Sequence, residues 1–455
     1  MNITILGAGE VGEQLARTLS TDRNSVVVVD QSTDLLARLT ERLDVMTVQG
    51  DCANVNVLRR AGISKSGLVI AVSGSDASNV LACRMAKESG VARTICRVSS
   101  RDFFGEEAES PPASLGVDHV ILPQHECVDR ILGVLERQYL VERLHFNVPD
   151  ADMSAIRIPV GSRLAGFRLD SFPKPSLLED IRFAAYVRDQ RMATPVGSTV
   201  FLPGDEVYVA GSRAGVRKIL DYNDPSPRPS QLVIVVGATT LARNLINRLI
   251  AGGYTVRVIE ENADLCTQML DELGEKVLVI NGSPTDVEVL EEAEVANCGA
   301  FISVLRNDEQ NIVGGILAKR VGAGKVIAVT NKAEYMDIVP AMKPIDCGFS
   351  PRLVAVNSVL NLLGSQTARV HAILHRTEAY VYEFDVQRNA QVSGKRVGDC
   401  ARQSAAVFSL VMREDQAFAA TAEVVLQEGD RVAVVSTQKN EERLAKMFAR
   451  KKIGN

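Results

Sequence analysis

Residues 3–12 read Ile3-Thr4-Ile5-Leu6-Gly7-Ala8-Gly9-Glu10-Val11-Gly12, a short apolar run that breaks into Gly-x-Gly-x-x-Gly. Four such residues ahead of a glycine suit a strand buried on both faces. Beyond the glycines, Val11, Leu15 and Leu19 recur every four residues, the spacing of one helix face. A second run, 26–29, ends on Asp30, 18 residues after Gly12. Strand, glycine turn, helix and acid-tipped strand together form the dinucleotide-binding fingerprint; the glycines alone do not. Each position has a chemical reason. Gly7 permits the tight turn, Gly9 keeps a side chain away from approaching phosphates, and Gly12 lets the helix lie close to the sheet. The helix N-terminus, entered through Ala8, Glu10 and Val11, presents unpaired N–H groups and a positive dipole end to an anion. Asp30 is placed to accept the adenosine ribose hydroxyls, which favours NAD over its 2′-phosphorylated form.

The pattern continues outward. Further strand-like runs lie at 46–48, 68–72, 94–98 and 120–122, and Ala53, Val57 and Ala61 mark another helix face. The alternation predicts an α/β, doubly wound parallel sheet of Rossmann type. Ligands of such sheets bind outside the strand carboxyl ends. The residues there, Gly50, Asp51 and Cys52 after the third strand, Ser73, Asp76 and Asn79 after the fourth, and Arg97 in the fifth, complete the candidate nucleotide site.

The whole arrangement occurs twice. Residues 3–12 match 233–242 at an offset of 230; Asp76 and Asn79 match Asp308 and Asn311 at 232. Behind each copy, 202–210 resembles 427–435, each with a Gly-Asp turn, Gly204-Asp205 and Gly429-Asp430. The expected order is therefore a Rossmann unit at 1–140, a small α+β unit at 141–224, a second Rossmann unit at 230–366 and a second α+β unit at 367–455. Pro225, Pro227 and Pro229 mark the join. In the second copy Thr239 replaces Gly9 and Ala242 replaces Gly12, while Glu260 keeps an acid at the ribose position. A Cβ and hydroxyl at 239 intrude where phosphate would rest, so the second site is expected to be weakened or empty.

Other classes fit less well. With 46% hydrophobic and 24% charged residues and a net charge of −5, the chain lacks the basic excess of a sequence-blind nucleic-acid binder, so no nucleic-acid partner is expected. No apolar run approaches the ~18 residues of a membrane helix, and no signal peptide is read at Met1. The eight cysteines form no C-x-x-C pair and read as small buried hydrophobes in a reducing cytoplasm. A dehydrogenase, the rival reading, needs an acid or base beside the nicotinamide. In the expected substrate segment only His145 offers itself. His371 and His375, four apart, suit one helix face but lack further metal ligands, so no metal is expected. A loop is read at 101–114, and a linker helix at 128–141, bearing Ile131, Leu132, Leu135 and Tyr139, whose apolar face is either core or a subunit contact.

The duplicated layout, the N-terminal Gly7-Ala8-Gly9-Glu10-Val11-Gly12, Gln49-Gly50-Asp51 and the two Gly-Asp turns resemble the TrkA family, the regulatory subunits of bacterial Trk potassium-uptake systems built from two RCK (also called KTN) units. The resemblance covers nearly the whole chain. It implies NAD(H) or ATP/ADP in the Rossmann units, a homotetramer arranged as a dimer of dimers, and docking on the cytoplasmic face of a separate membrane-embedded potassium transporter. It also implies a gating rather than a catalytic role. Carried onto this chain, the nucleotide residues are Gly7, Gly9, Glu10, Val11, Gly12, Asp30, Gly50, Asp51, Ser73, Asp76, Asn79 and Arg97.

Overall fold

In the computed structural model, the described residues are 1–20, 24–100, 104, 113–224, 229–332, 335, 339, 342, 344–363, 368–374 and 379–450. The expected loop at 101–114 and the prolines Pro225 and Pro227 lie almost wholly outside them.

Short Val/Ile-rich segments form the first parallel sheet: β1 (Asn2–Leu6), β2 (Ser25–Asp30), β3 (Met46–Gln49), β4 (Leu68–Ala71), β5 (Arg93–Arg97) and β6 (His119–Ile121), in the order β3-β2-β1-β4-β5-β6. The order reverses beside β1, so a crevice opens at the carboxyl ends of β1 and β4. Helices α1 (Glu10–Leu19), α2 (Thr33–Arg42), α3 (Val55–Arg60) and α4 (Asp76–Glu88) make the crossovers. The face read from Ala53 to Ala61 is shorter than expected. Asn54 caps α3 by accepting from the Asn56 and Val57 amides, so Ala53 stays in the turn before it.

The expected linker helix is displaced upstream. Helix α5 spans Pro123–Leu135, and Tyr139 falls in the turn before β7 (Leu140–His145). Ile131 and Val134 are fully buried within the single chain, so this face is core and does not need a neighbouring subunit to cover it.

A five-stranded antiparallel sheet follows, with β8 (Ala151–Arg157), β9 (Ile181–Arg188), β10 (Arg191–Ala193) and β11 (Glu206–Ser212) in the order β10-β9-β11-β8-β7, and then helix α6 (Arg213–Asn223). The second parallel sheet comprises β12 (Leu232–Val236), β13 (Thr255–Glu260), β14 (Val277–Asn281), β15 (Ala300–Ser303), β16 (Lys325–Val329) and β17 (Cys347–Phe349), in the order β14-β13-β12-β15-β16-β17. Its helices are α7 (Thr240–Ala251), α8 (Ala263–Leu273), α9 (Val287–Glu292) and α10 (Asp308–Val321), with α11 (Pro351–Leu363) after β17. The last sheet, β18 (Ala368–Leu374), β19 (Ala379–Asp385), β20 (Val407–Arg413), β21 (Gln416–Ala419) and β22 (Arg431–Thr437), is ordered β18-β19-β22-β20-β21, the same connectivity as the first antiparallel sheet. His371 therefore lies on a strand and not on a helix face; His375 is outside the described residues.

The Gly-Asp turns are latches. Gly204 and Gly429 adopt φ of +96° and +89°. The buried carboxylates of Asp205 and Asp430 each receive two bonds from one arginine: Arg188 at 2.7 and 2.6 Å, Arg413 at 2.7 and 2.9 Å. Each also accepts a backbone N–H, from Leu202 or Gln427. Such partners offset the cost of taking a carboxylate out of water. The two antiparallel sheets share one apolar core, with Met153, Ala184 and Ala210 from the first beside Val381, Leu410 and Ala433 from the second.

The chain divides into two compact units. One holds Met1–Val128 together with Ser350–Val359; the other holds most of the remainder, including the antiparallel sheets and the second parallel sheet.

Candidate functional site

Gly7 leaves β1 with φ +111°, and a Cβ there would stand 2.9 Å from the backbone of Ser73. Only glycine tolerates both conditions without strain. At Gly12 a Cβ would sit 1.8 Å from the Gly7 carbonyl oxygen, so its hydrogen side chain is what lets α1 lie on the turn. Gly9 differs. Nothing in the protein lies within 4 Å of the place its Cβ would occupy, and it caps α1 with no side-chain hydrogen bond. The first N–H groups of α1 therefore have no side-chain cap, and the space beside Gly9 is open, the arrangement an anion needs.

Asp30 does more than wait for a ribose. Its Oδ2 accepts from the Ala8 amide at 2.6 Å and its Oδ1 from the Ser32 amide at 2.9 Å, so the carboxylate latches the glycine turn to the end of β2. Each oxygen keeps a further lone pair. The Asp30 carbonyl accepts from Gly50, tying the third strand's exit to the same corner. Asp51 folds back on the Ala53 amide at 2.8 Å and remains exposed. Cys52 is withdrawn: it is buried in the core with Val57 and Leu58, and burial pushes its thiol up from the ordinary value, against a hydrogen bond from Ser73. Its place is beneath the site rather than on its surface.

Asn79 is likewise internal. Its Oδ1 accepts from the Ser73 amide at 2.9 Å and hydroxyl at 2.6 Å, and its Nδ2 donates to the carbonyls of Ser73 and Arg97. Fully buried, it clamps the ends of β4 and β5 together and leaves nothing for a ligand. Asn311 repeats the clamp in the second parallel sheet, holding Ser303, Leu305 and Val329. Since the second copy has lost two glycines and kept this residue, the asparagine serves the fold. Asp76 accepts from the Ser99 amide at 2.8 Å. Arg97 reaches the Ser73 carbonyl at 3.4 Å; burial lowers its pKa from the ordinary value, with Asp76 opposing. Its counterpart in the second sheet is Val329, so that copy lacks this cation.

One residue the sequence reading missed is Arg352, near the start of α11. It belongs to the same compact unit as the first glycine loop, pairs with Glu10 and donates to the Asn331 carbonyl at 2.9 Å. Burial lowers its pKa. Glu10 by itself would repel a phosphate at the first turn of α1; Arg352 cancels that charge and leaves a guanidinium at the mouth. No local pattern announces it, because 342 residues separate the partners.

The second loop is built on the same frame and closed. Gly237 turns with φ +105°, and Glu260 accepts from Ala238 and Asn262 as Asp30 does from Ala8 and Ser32. Thr239, however, accepts from the Ala242 amide at 3.2 Å and donates to the Val304 carbonyl at 3.0 Å. The helix end that Gly9 leaves bare is here capped by the protein itself.

The TrkA-N domain family matches residues 3–123 and again 233–347, and the TrkA-C domain family matches 153–223. The chain belongs to the TrkA family. A Trk system potassium uptake protein TrkA from Halomonas elongata is 31% identical, over 95% of each chain. Its Haemophilus influenzae namesake is 27% identical, over 98% of each. Among solved structures, the GsuK RCK domain superimposes with a TM-score of 0.62 at 16% identity, over 98% of this chain and 94% of that one. The GsuK channel bound to NAD gives 0.61 at 16%, over 98% and 78%. At such identity these two establish the RCK fold of this TrkA-family chain. Among the described residues, no helix is long and apolar enough to cross a membrane.

Proposed function

We propose that this TrkA-family protein is a nucleotide-responsive regulatory subunit. It binds NAD(H), or ATP or ADP, at the first Rossmann loop and gates a separate Trk-type potassium transporter at the inner face of the cell membrane. The observation that carries the reading is the bare N-terminus of α1 at Gly9, flanked by Asp30, Ser73 and Arg97 and facing Arg352 across Glu10. Phosphates rest on the exposed N–H groups, and Asp30 uses its spare lone pairs on the ribose. The second loop, capped by Thr239, carries no nucleotide, and Glu260 there only holds the turn. The relatives' names place them in potassium uptake, and a neighbour of the same fold is described with NAD bound, which supports a sensor over a dehydrogenase. Assembly is a homotetramer, a dimer of dimers, and a nucleotide acts by binding one of its arrangements more tightly than another. The four units fall at 1–140, 141–224, 230–366 and 367–455.

Calorimetric titration of the full chain with NADH, NAD, ATP and ADP tests this. About one site per chain that Gly9→Thr removes, with no chemical turnover of the ligand, is expected. Absence of binding by all four overturns it, and a second site that is altered by Thr239→Val overturns the closed second loop.

A further inference from the structure

A second polar cavity, of about 540 Å³, lies within the larger compact unit, away from the glycine loop. Its walls come from the end of α5, from β7, from α6 and from the entry to β12, and they carry four arginines, Arg137, Arg143, Arg213 and Arg217. Two are neutralised at home. Arg137 pairs with Asp221 at 2.5 Å; Arg143 pairs with Glu136 at 3.3 Å and with the buried Asp152 at 3.2 Å. The Nε of Arg143 is buried without an acceptor. Arg213 and Arg217 have no side-chain partner among the described residues.

The position of this second pair is locally unfavourable. They stand four apart on one face of α6, where like charges repel. Both lie in its first half, whose opening turn holds no acid and whose dipole disfavours cations. A chain of net charge −5 thus gathers two uncompensated positive charges at a concave site. An anion between Arg213 and Arg217 compensates both. Tyr254, half-buried on the wall, adds an aromatic surface beside the cations. The volume is that of a small-molecule site.

We infer that this cavity is a second, independent ligand site, for a small phosphorylated dianion held by Arg213 and Arg217. The planar guanidinium forks of this pair suit phosphate oxygens. Two classes share this chemistry, a nucleoside phosphate with its base on Tyr254 and a bare polyphosphate.

The test is calorimetry on the full-length chain carrying Gly9→Thr, which closes the Rossmann loop, with AMP, pyrophosphate and sulfate as probes. AMP or pyrophosphate is expected to bind, and adding Arg213→Gln with Arg217→Gln is expected to weaken it at least about tenfold. Both arginines are exposed, and unchanged thermal melting checks that the fold survives. Ser230→Trp, which fills the cavity and keeps the arginines, is expected to weaken binding as well. Tighter AMP assigns the site to nucleoside phosphates; tighter pyrophosphate assigns it to polyphosphates. Failure of both probes, indifference to the arginine pair, retention in Ser230→Trp, or equal affinity for sulfate overturns the inference.

Discussion

The two glycine loops of this chain share a backbone and differ in who satisfies the helix end. Both turn through a positive-φ glycine, both are latched by a carboxylate to the next alanine amide, and both stand beside an asparagine clamp. At the first, Gly9 leaves the start of α1 without a side-chain cap. At the second, Thr239 occupies that place with its own hydroxyl. At this position an uncapped and a self-capped helix end thus differ by one side chain, glycine against threonine. The residues that keep the frame, Asn79 and Asn311 or Asp30 and Glu260, do not separate the two.

The sharpest way to break the comparison is to move the cap. Gly9→Thr imports the second loop's chemistry into the first. Nucleotide affinity is expected to fall by about a hundredfold or more, while thermal stability holds or gains up to about 1 kcal/mol from the new cap. Retained affinity, read by calorimetry, would falsify the assignment of the phosphate position.

A second contrast concerns packing. Gly12→Ala puts a methyl 1.8 Å from the Gly7 carbonyl oxygen and is expected to cost about 3 kcal/mol of unfolding free energy. Ala242→Gly removes a methyl that the second loop already houses and is expected to cost about 1 kcal/mol, mostly helix propensity. Urea denaturation of the two variants measures the difference; equal costs would mean that the loops do not differ in helix height.

The smallest effect sharpens the electrostatic side. Arg352→Gln leaves Glu10 uncompensated at the mouth of the first loop. ATP affinity is expected to fall about tenfold, more than NADH affinity, because a triphosphate carries more charge there. Adding Glu10→Gln is expected to restore part of the loss. Equal losses for both ligands would assign Arg352 to packing alone.

Much of this was legible in the sequence. The six strands of the first sheet fall within a residue or two of the apolar runs, because buried parallel strands need continuous β-branched segments that are visible one at a time. Where reading faltered, tertiary partners decided. The helix expected at 128–141 ends at Leu135, and its apolar face is buried inside the chain. Asn79 and Cys52 lie next to exposed candidate positions in sequence, but Asn79 is tied to Ser73 and Arg97 and Cys52 is buried in the core.

By itself, the sequence determined the duplication, the doubly wound units, the Gly-Asp turns and the position of the open loop. These are local demands: hydrophobic period, positive φ, and the absence of a side chain at Gly9. Only the tertiary structure decided that Asp30 is a latch, that Arg352 reaches Glu10, that Thr239 caps its own helix, and that four arginines from three segments line one cavity. Hydrogen bonds and Coulomb forces act over a few ångströms of space. A sequence records separation along the chain, and here groups up to 342 positions apart meet at one site.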